Sequence, residues 1–207
     1  MRLLMPLLIL PLLAGPLSAQ DSVAYSIDPE KSKLEIAVYK EGFFRAFGHD
    51  HLIEAKATSG QVQFDAKSIE HSSVALKIQT ALLRVMDPGV SEKDRQEVQT
   101  TMMGDKVLDA TKYPVIAFTS TGVLATREIV GGWEVTLSGK LSLHGTERIV
   151  NLPLRLHRQG EDLRTQGEVT LLQTDYGITP VRVGGGTVKV KNQIKISFDI
   201  LVTKSKG

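Results

Sequence analysis

Between Thr187 and Val202 apolar residues fall on even positions (Val188, Val190, Ile194, Ile196, Phe198, Ile200 and Val202), broken only by Asn192, while lysines take several of the odd ones. A period of two sustained this long fits an extended strand with one dry face and one wet face. The pattern recurs in Trp133, Val135, Leu137, Leu141 and Leu143, set against Glu134, Thr136, Ser138, Lys140, Ser142 and His144. Val150, Leu152, Leu154 and Leu156 answer on the next strand, with Gly145-Thr146 read as the turn between the two. Leu34, Ile36 and Val38, then Val74, Leu76 and Ile78, then Ile116 and Phe118, then Val169 and Leu171 mark further strands.

The period changes once. Ser91 followed by Asp94 three residues on resembles a capping box, Val98 and Met102 are four apart, and Gly104 suits a C-terminal cap. This predicts a helix over Glu92 to Met103 that lies on the outside and covers an edge or an end of the sheet. Consecutive strands joined by short turns predict an all-β fold, an extended antiparallel eight-stranded barrel with one inserted surface helix. Closure removes the edges that a sandwich would leave exposed.

Gly48 to Phe64 reads as one long strand. Ile53, Ala55 and Ala57 occupy odd positions, Val62 and Phe64 even ones, and an extra residue at Gly60 would shift the parity as a bulge does. Running the parity backwards puts His49 and His51 on the inward face with Ile53. Two imidazoles two residues apart can meet a ligand's polar head at a tunnel mouth or supply two ligands to a metal, while Asp50 points the other way. His144 and His157 fall on outward parity and nothing fixes His71, so no metal site is completed. The connection from Lys40 to Gly48 carries Phe43, Phe44 and Phe47 and is read as a lip.

Ala55, Ala57, Gly60 and Gly139 put small or absent side chains on the inward face. They either leave a tube open for a long apolar ligand or make room for Trp133 and the phenylalanines, and the pattern alone leaves both open. By inward direction, the lining of such a tube is Ile36, Ile53, Ala55, Ala57, Ile116, Phe118, Leu137, Leu141, Leu152, Leu154, Ile196 and Phe198. For catalysis there is no Gly-x-Ser-x-Gly elbow, no cysteine and no phosphate-cradling glycine loop, since Gly184-Gly185-Gly186 lacks a following lysine. No catalytic residues and no cofactor are assigned.

Met1 to Ala19 has one positive charge at Arg2, an apolar run from Leu3 to Leu17 and a small residue at Ala19, the form of a cleavable signal peptide. Three prolines and the shortness of the run argue against a membrane anchor. The expected mature chain, residues 20–207, is one domain exported to the periplasm without cysteines to cross-link it. Without Arg2 it holds 24 basic and 23 acidic residues, a balance that gives no electrostatic footprint for nucleic acid and none for stable membrane insertion.

Three segments carry a resemblance. Tyr113-Pro114-Val115-Ile116-Ala117-Phe118-Thr119-Ser120, then Gly139-Lys140-Leu141-Ser142-Leu143-His144-Gly145-Thr146-Glu147-Arg148, then Thr174-Asp175-Tyr176-Gly177-Ile178 resemble the YceI-like family, in order and from about Ala24 to Val202. The stretch from Asp94-Arg95 through Leu108-Asp109 resembles that family's lead into its Tyr-Pro strand. The resemblance implies a lipocalin-like barrel that binds polyisoprenoid or other long-chain amphiphiles in an elongated tunnel, commonly in the bacterial periplasm. A long-chain isoprenoid or other amphiphilic lipid, quinone-like ones included, is the expected partner, and a homodimer is left open. Phe47-Gly48-His49-Asp50-His51 is richer in histidine than is typical there, and Glu97-Val98 stands where many members have a histidine. Two other readings stay open at this point: a metal-dependent enzyme or redox accessory built on His49 and His51, and a barrel with a filled core that acts through its surface.

Overall fold

The computed structural model describes residues 22–41, 50–56, 59–183 and 188–205. The expected signal peptide, Phe43, Phe44, Phe47, His49, Ala57 and the three-glycine turn lie outside them. The elements in chain order are β1 (Val23–Ile27), β2 (Lys33–Glu41), β3 (His51–Ala55), β4 (Ser59–Phe64), β5 (Ser73–Gln79), β6 (Arg84–Val85), α1 (Glu92–Met103), β7 (Val115–Ile129), β8 (Gly132–Leu143), β9 (Thr146–Gln159), β10 (Asp162–Leu172), β11 (Arg182–Val183) and β12 (Val188–Lys204). Single 3₁₀ turns at Ile69–His71, Thr80–Leu82 and Gln173–Tyr176 punctuate them.

All pairings are antiparallel, and they close. From β4 the sheet runs through β5, β7, β8, β9 and β10 to β12. The last strand then returns to the start of the chain, pairing Ile27 with Val202 in β1 and Ile36 with Ile196 in β2. β1 and β2 lie end to end as one stave, and β3 and β4 beside them as another, so the barrel has eight staves. The expected all-β barrel with one helix is the observed fold.

Two local expectations are corrected. Gly48 to Phe64 is not one strand bulged at Gly60: β3 ends at Ala55 and β4 begins at Ser59. The inward parity does change between Ala55 and Val62, and the reason lies in the neighbouring stave. There Tyr25 and Ile27 face inward from odd positions and Leu34 and Ile36 from even ones, across a turn held by the Ser32 hydroxyl donating to the Asp28 carbonyl at 2.6 Å. Adjacent staves switch parity side by side, which preserves pairing above and below the break. The β8–β9 turn is His144-Gly145, with φ of 51° and 73°, and Thr146 already pairs with Leu143. Two central residues at positive φ make a type I′ turn, whose twist matches the strands it joins.

The helix forms where the capping signal put it. Ser91 accepts a hydrogen bond from the Asp94 amide at 3.2 Å and Gly104 follows the last turn. Gln99 fastens it to β6, accepting from the Val85 amide at 2.8 Å and donating to the Leu83 carbonyl at 3.0 Å. Its apolar residue Met102 is buried over one end of the barrel.

The outer wall carries ion pairs, among them Arg164–Asp199, Lys195–Glu168, Lys140–Glu147 and the Arg127–Glu134–Arg155 group. A charged exterior around an aliphatic interior is the inverse of a membrane-spanning barrel. Hydrogen bonds from Arg164, with Gln166 adding to them, hold the Asp199 carboxyl below the usual carboxylate range, and those from Arg127 and Arg155 do the same for Glu134. A carboxyl depressed on folding contributes stability in full above its unfolded pKa of about 4 and loses it as pH falls through the folded value. Urea-unfolding free energy is therefore expected to begin falling below about pH 5, less steeply in Asp199→Asn. A variant that falls as steeply as the parent would remove this pair from the acid response.

Candidate functional site

The inward side chains of the eight staves do not meet at the barrel axis. They enclose a cavity of about 280 Å³, bounded at one end by Met102, Leu108, Tyr176 and Ile178 and at the other by Phe64, Ile69 and Val202. Along β12 it runs from Ile194 to Val202. At roughly 3.3 Å per residue that stretch is about 26 Å of strand, or about 20 Å of axis at a usual barrel tilt. The space is therefore long and narrow.

Its wall is almost wholly hydrocarbon. Among the described residues no Lys, Arg, His, Asp or Glu lines it, and the polar ones there are Ser72, Thr165, Gln173 and Tyr176. Ser72 accepts from the Asp65 amide through its hydroxyl, and Gln173 donates to the Lys191 carbonyl at 2.8 Å. Tyr176 is fully buried, which pushes its phenol above the ordinary tyrosine value.

Of the residues assigned to the lining by parity, Ile36, Ile53 and Ala55 from β2 and β3, Ile116 and Phe118 from β7, Leu137 and Leu141 from β8, Leu152 and Leu154 from β9, and Ile196 and Phe198 from β12 all face the cavity. Both open readings of the small residues apply, in different places. A Cβ on Gly139 would lie 2.3 Å from the Phe118 ring, one on Gly167 2.5 Å from the Phe198 ring, and one on Gly60 2.2 Å from Ile27, so these glycines seat neighbouring side chains. Ala55 borders open space instead.

Parity found the walls but not the two ends. The helix end is built by Met102, Val107, Leu108, Tyr176 and Ile178, from α1 and from loops that have no period to read. The far end is an aromatic stack, with Phe64 edge-on to Trp133 at 5.5 Å and to Tyr25 at 6.2 Å. The inward position of Thr165 was legible, since it shares odd parity with Val169 and Leu171.

His51 stands at the rim of the helix end, paired in register with Val38, whose side chain lines the cavity. It is not itself part of the lining. Its Nδ1 lies 2.7 Å from Oδ2 of Asp87, and Oδ1 of the same carboxyl accepts from the Leu52 amide at 2.7 Å. Asp87 is buried and has a φ of 22°, outside the usual range for a residue with a side chain. Asp50 faces outward as expected and accepts from the Lys40 amide. His144 Nδ1 lies 3.1 Å from the Tyr176 carbonyl oxygen and His71 Nδ1 3.8 Å from an Asp65 carboxylate oxygen. Among the described residues no group of three or more His, Asp or Glu could hold a metal ion.

A UPF0312 protein of Pseudomonas savastanoi pv. phaseolicola is 28% identical over 154 residues, 70% of each chain. BcnA of Burkholderia cenocepacia shares the fold with a TM-score of 0.67 at 20% identity, over 86% of this chain and 99% of that one. A polyisoprenoid binding domain from Saccharophagus degradans, implicated in plant cell wall breakdown, does so with a TM-score of 0.59 at 15% identity, over 88% and 99%. At these identities the two structures bear on architecture alone. The YceI-like domain profile matches residues 25–202, which takes in every stave of the barrel and the helix that covers its end, and the chain belongs to that family.

Proposed function

We propose that this protein is a periplasmic carrier that holds one long-chain amphiphile, an isoprenoid or quinone-like lipid, along the barrel axis. The observation that carries the reading is the continuous cavity some 20 Å long, walled by aliphatic residues of eight staves and lined by no charged side chain among the described residues. Its volume of about 280 Å³ is close to the lower edge of small-molecule pockets, about 300 Å³, so it fits a single narrow tail. A binding role for the polyisoprenoid binding domain of the same fold agrees with this. Export rests on the Met1–Ala19 segment.

Native mass spectrometry of the protein released by osmotic shock from the cells that make it tests both parts. The expected spectrum shows an added mass of lipid size that disappears on denaturation. Protein that is absent from the shock fluid, or present there only at its bare mass, refutes the location or the cargo respectively.

A further inference from the structure

The wall of the cavity contains a hydroxyl with nothing to bond to. Thr165 lies on the inward face of β10, between Leu163 and Gly167, and lines the cavity in the half away from α1. Its Oγ1 is buried and is the one buried side-chain polar atom without a hydrogen-bond partner among the described residues. β10 is paired here on both sides, Thr165 with Leu156 and with Ile200, so the adjacent backbone groups are engaged in the sheet. Both of those partners present aliphatic side chains to the same cavity. A water bound to Thr165 would face the side chains of Leu156, Leu163 and Ile200, where a buried water needs two to four polar partners. Valine has the same shape and would carry no unpaired oxygen.

We propose that the ligand carries an uncharged hydrogen-bonding group, a carbonyl or hydroxyl, on the part that lies against Thr165, deep in the half of the barrel far from the helix. This rests on the carrier reading above and narrows the class of cargo. A group attached to an apolar chain reaches Thr165 because the burial of that chain brings it there, which a free water cannot do. In the rotamer seen Oγ1 is shielded from the open part of the cavity, and rotation about χ1 exchanges methyl and hydroxyl, bringing the hydroxyl to the lumen to donate or accept as the ligand requires. The group is uncharged because no described residue of the cavity lining is ionised, and an ion buried without a partner is strongly disfavoured. A phosphorylated or carboxylate end is thereby excluded from this half.

The test compares hexadecanol, hexadecane and palmitate as probes on the mature protein, Thr165→Val and Thr165→Ser. Trp133, the sole tryptophan, packs on the lining residue Phe64, so its fluorescence reads arrival in this half, and native mass spectrometry reads stoichiometry. The parent is expected to prefer hexadecanol to hexadecane by about tenfold, the worth of one hydrogen bond in a dry site, and to bind palmitate less well than hexadecanol. Thr165→Val should lose the preference by binding hexadecane as well as hexadecanol, and Thr165→Ser should keep it. The comparison is a ratio within each protein, so a general loss of stability cancels. An undiminished preference in Thr165→Val, or equal binding of both neutral probes by the parent, overturns the inference and leaves the carrier reading intact. Failure of the parent to bind any probe overturns both.

Discussion

Asp87→Ala is expected to lower the unfolding free energy by about 3 kcal/mol, more than any truncation of a single wall residue on the outer face. The carboxyl is buried, and each of its oxygens serves one donor at 2.7 Å, the Leu52 amide and His51 Nδ1. Alanine leaves the amide and the imidazole facing a void, at a cost of about 1–3 kcal/mol for each group that cannot find water. His51 is partly exposed, with 21% of its side chain accessible, so it recovers part of its share, while Leu52 recovers less. The alanine also inherits a backbone at φ 22°, which aspartate tolerates better than alanine does. Asp87→Asn keeps an oxygen for Leu52 and should cost about half as much. His51→Ala leaves the Leu52 bond intact and should cost least, and the double variant gives the coupling between the two side chains. Urea unfolding followed by circular dichroism measures all four. A loss under 1 kcal/mol for Asp87→Ala would mean that water enters and replaces the carboxyl.

This pair also marks where sequence reading stops. The place of His51 on the rim strand, in step with Ile53, was legible because parity in β3 is local, although its side chain is not part of the cavity lining. Asp87 was not, because it sits in a turn before Pro88 and Gly89 and reaches β3 only through the fold. His49, read as its companion along one strand, lies outside the described residues, and the partner that His51 does show comes from thirty-six residues away. The wall was legible for the opposite reason. Branched residues at a strict spacing of two have only one dry side to face, and closing the sheet gives them one place to go. Parity breaks were detected near Gly60 but misplaced, since what sets them is the matching break in the adjacent stave rather than the glycine.

The family's sequence signatures turn out to lie together at the helix end. The Tyr113 ring sits 4.7 Å from that of His144, whose Nδ1 is 3.1 Å from the Tyr176 carbonyl, while Arg148 donates to the carbonyl of Asp175. Gly145 is where a Cβ would lie 2.4 Å from Tyr113. Three short segments that look unrelated in sequence form one clasp over the barrel end, and Tyr176 extends from it into the cavity lining. They signal the fold strongly because their work is to close it. For the same reason they say little about what the cavity holds.

Shortening the tail of a bound isoprenoid by one five-carbon unit is expected to weaken binding by between about ten- and a thousand-fold. The upper figure takes roughly 0.8 kcal/mol per buried carbon, or about 4 kcal/mol per unit. The lower takes about 0.3 kcal/mol per atom, the yield typical of larger ligands once ordering and imperfect contact are counted, or about 1.5 kcal/mol per unit. A narrow cavity argues for the upper part of this range, because each unit touches wall on all sides: Ile36, Phe118, Leu137, Leu152 and Ile196 come from five different staves. The dependence should also saturate. Once the tail exceeds the roughly 20 Å of lined axis, further units project past Met102 and Tyr176 or remain in solvent and add nothing. A series of prenyl alcohols of increasing length, titrated against Trp133 fluorescence, gives both the slope and the break point. A steep slope with a break is the mark of a tail lying along the barrel axis. Equal affinity across the series would place the tail outside the barrel, and a slope with no break would mean that the ends at Phe64 and Met102 open to let longer chains through.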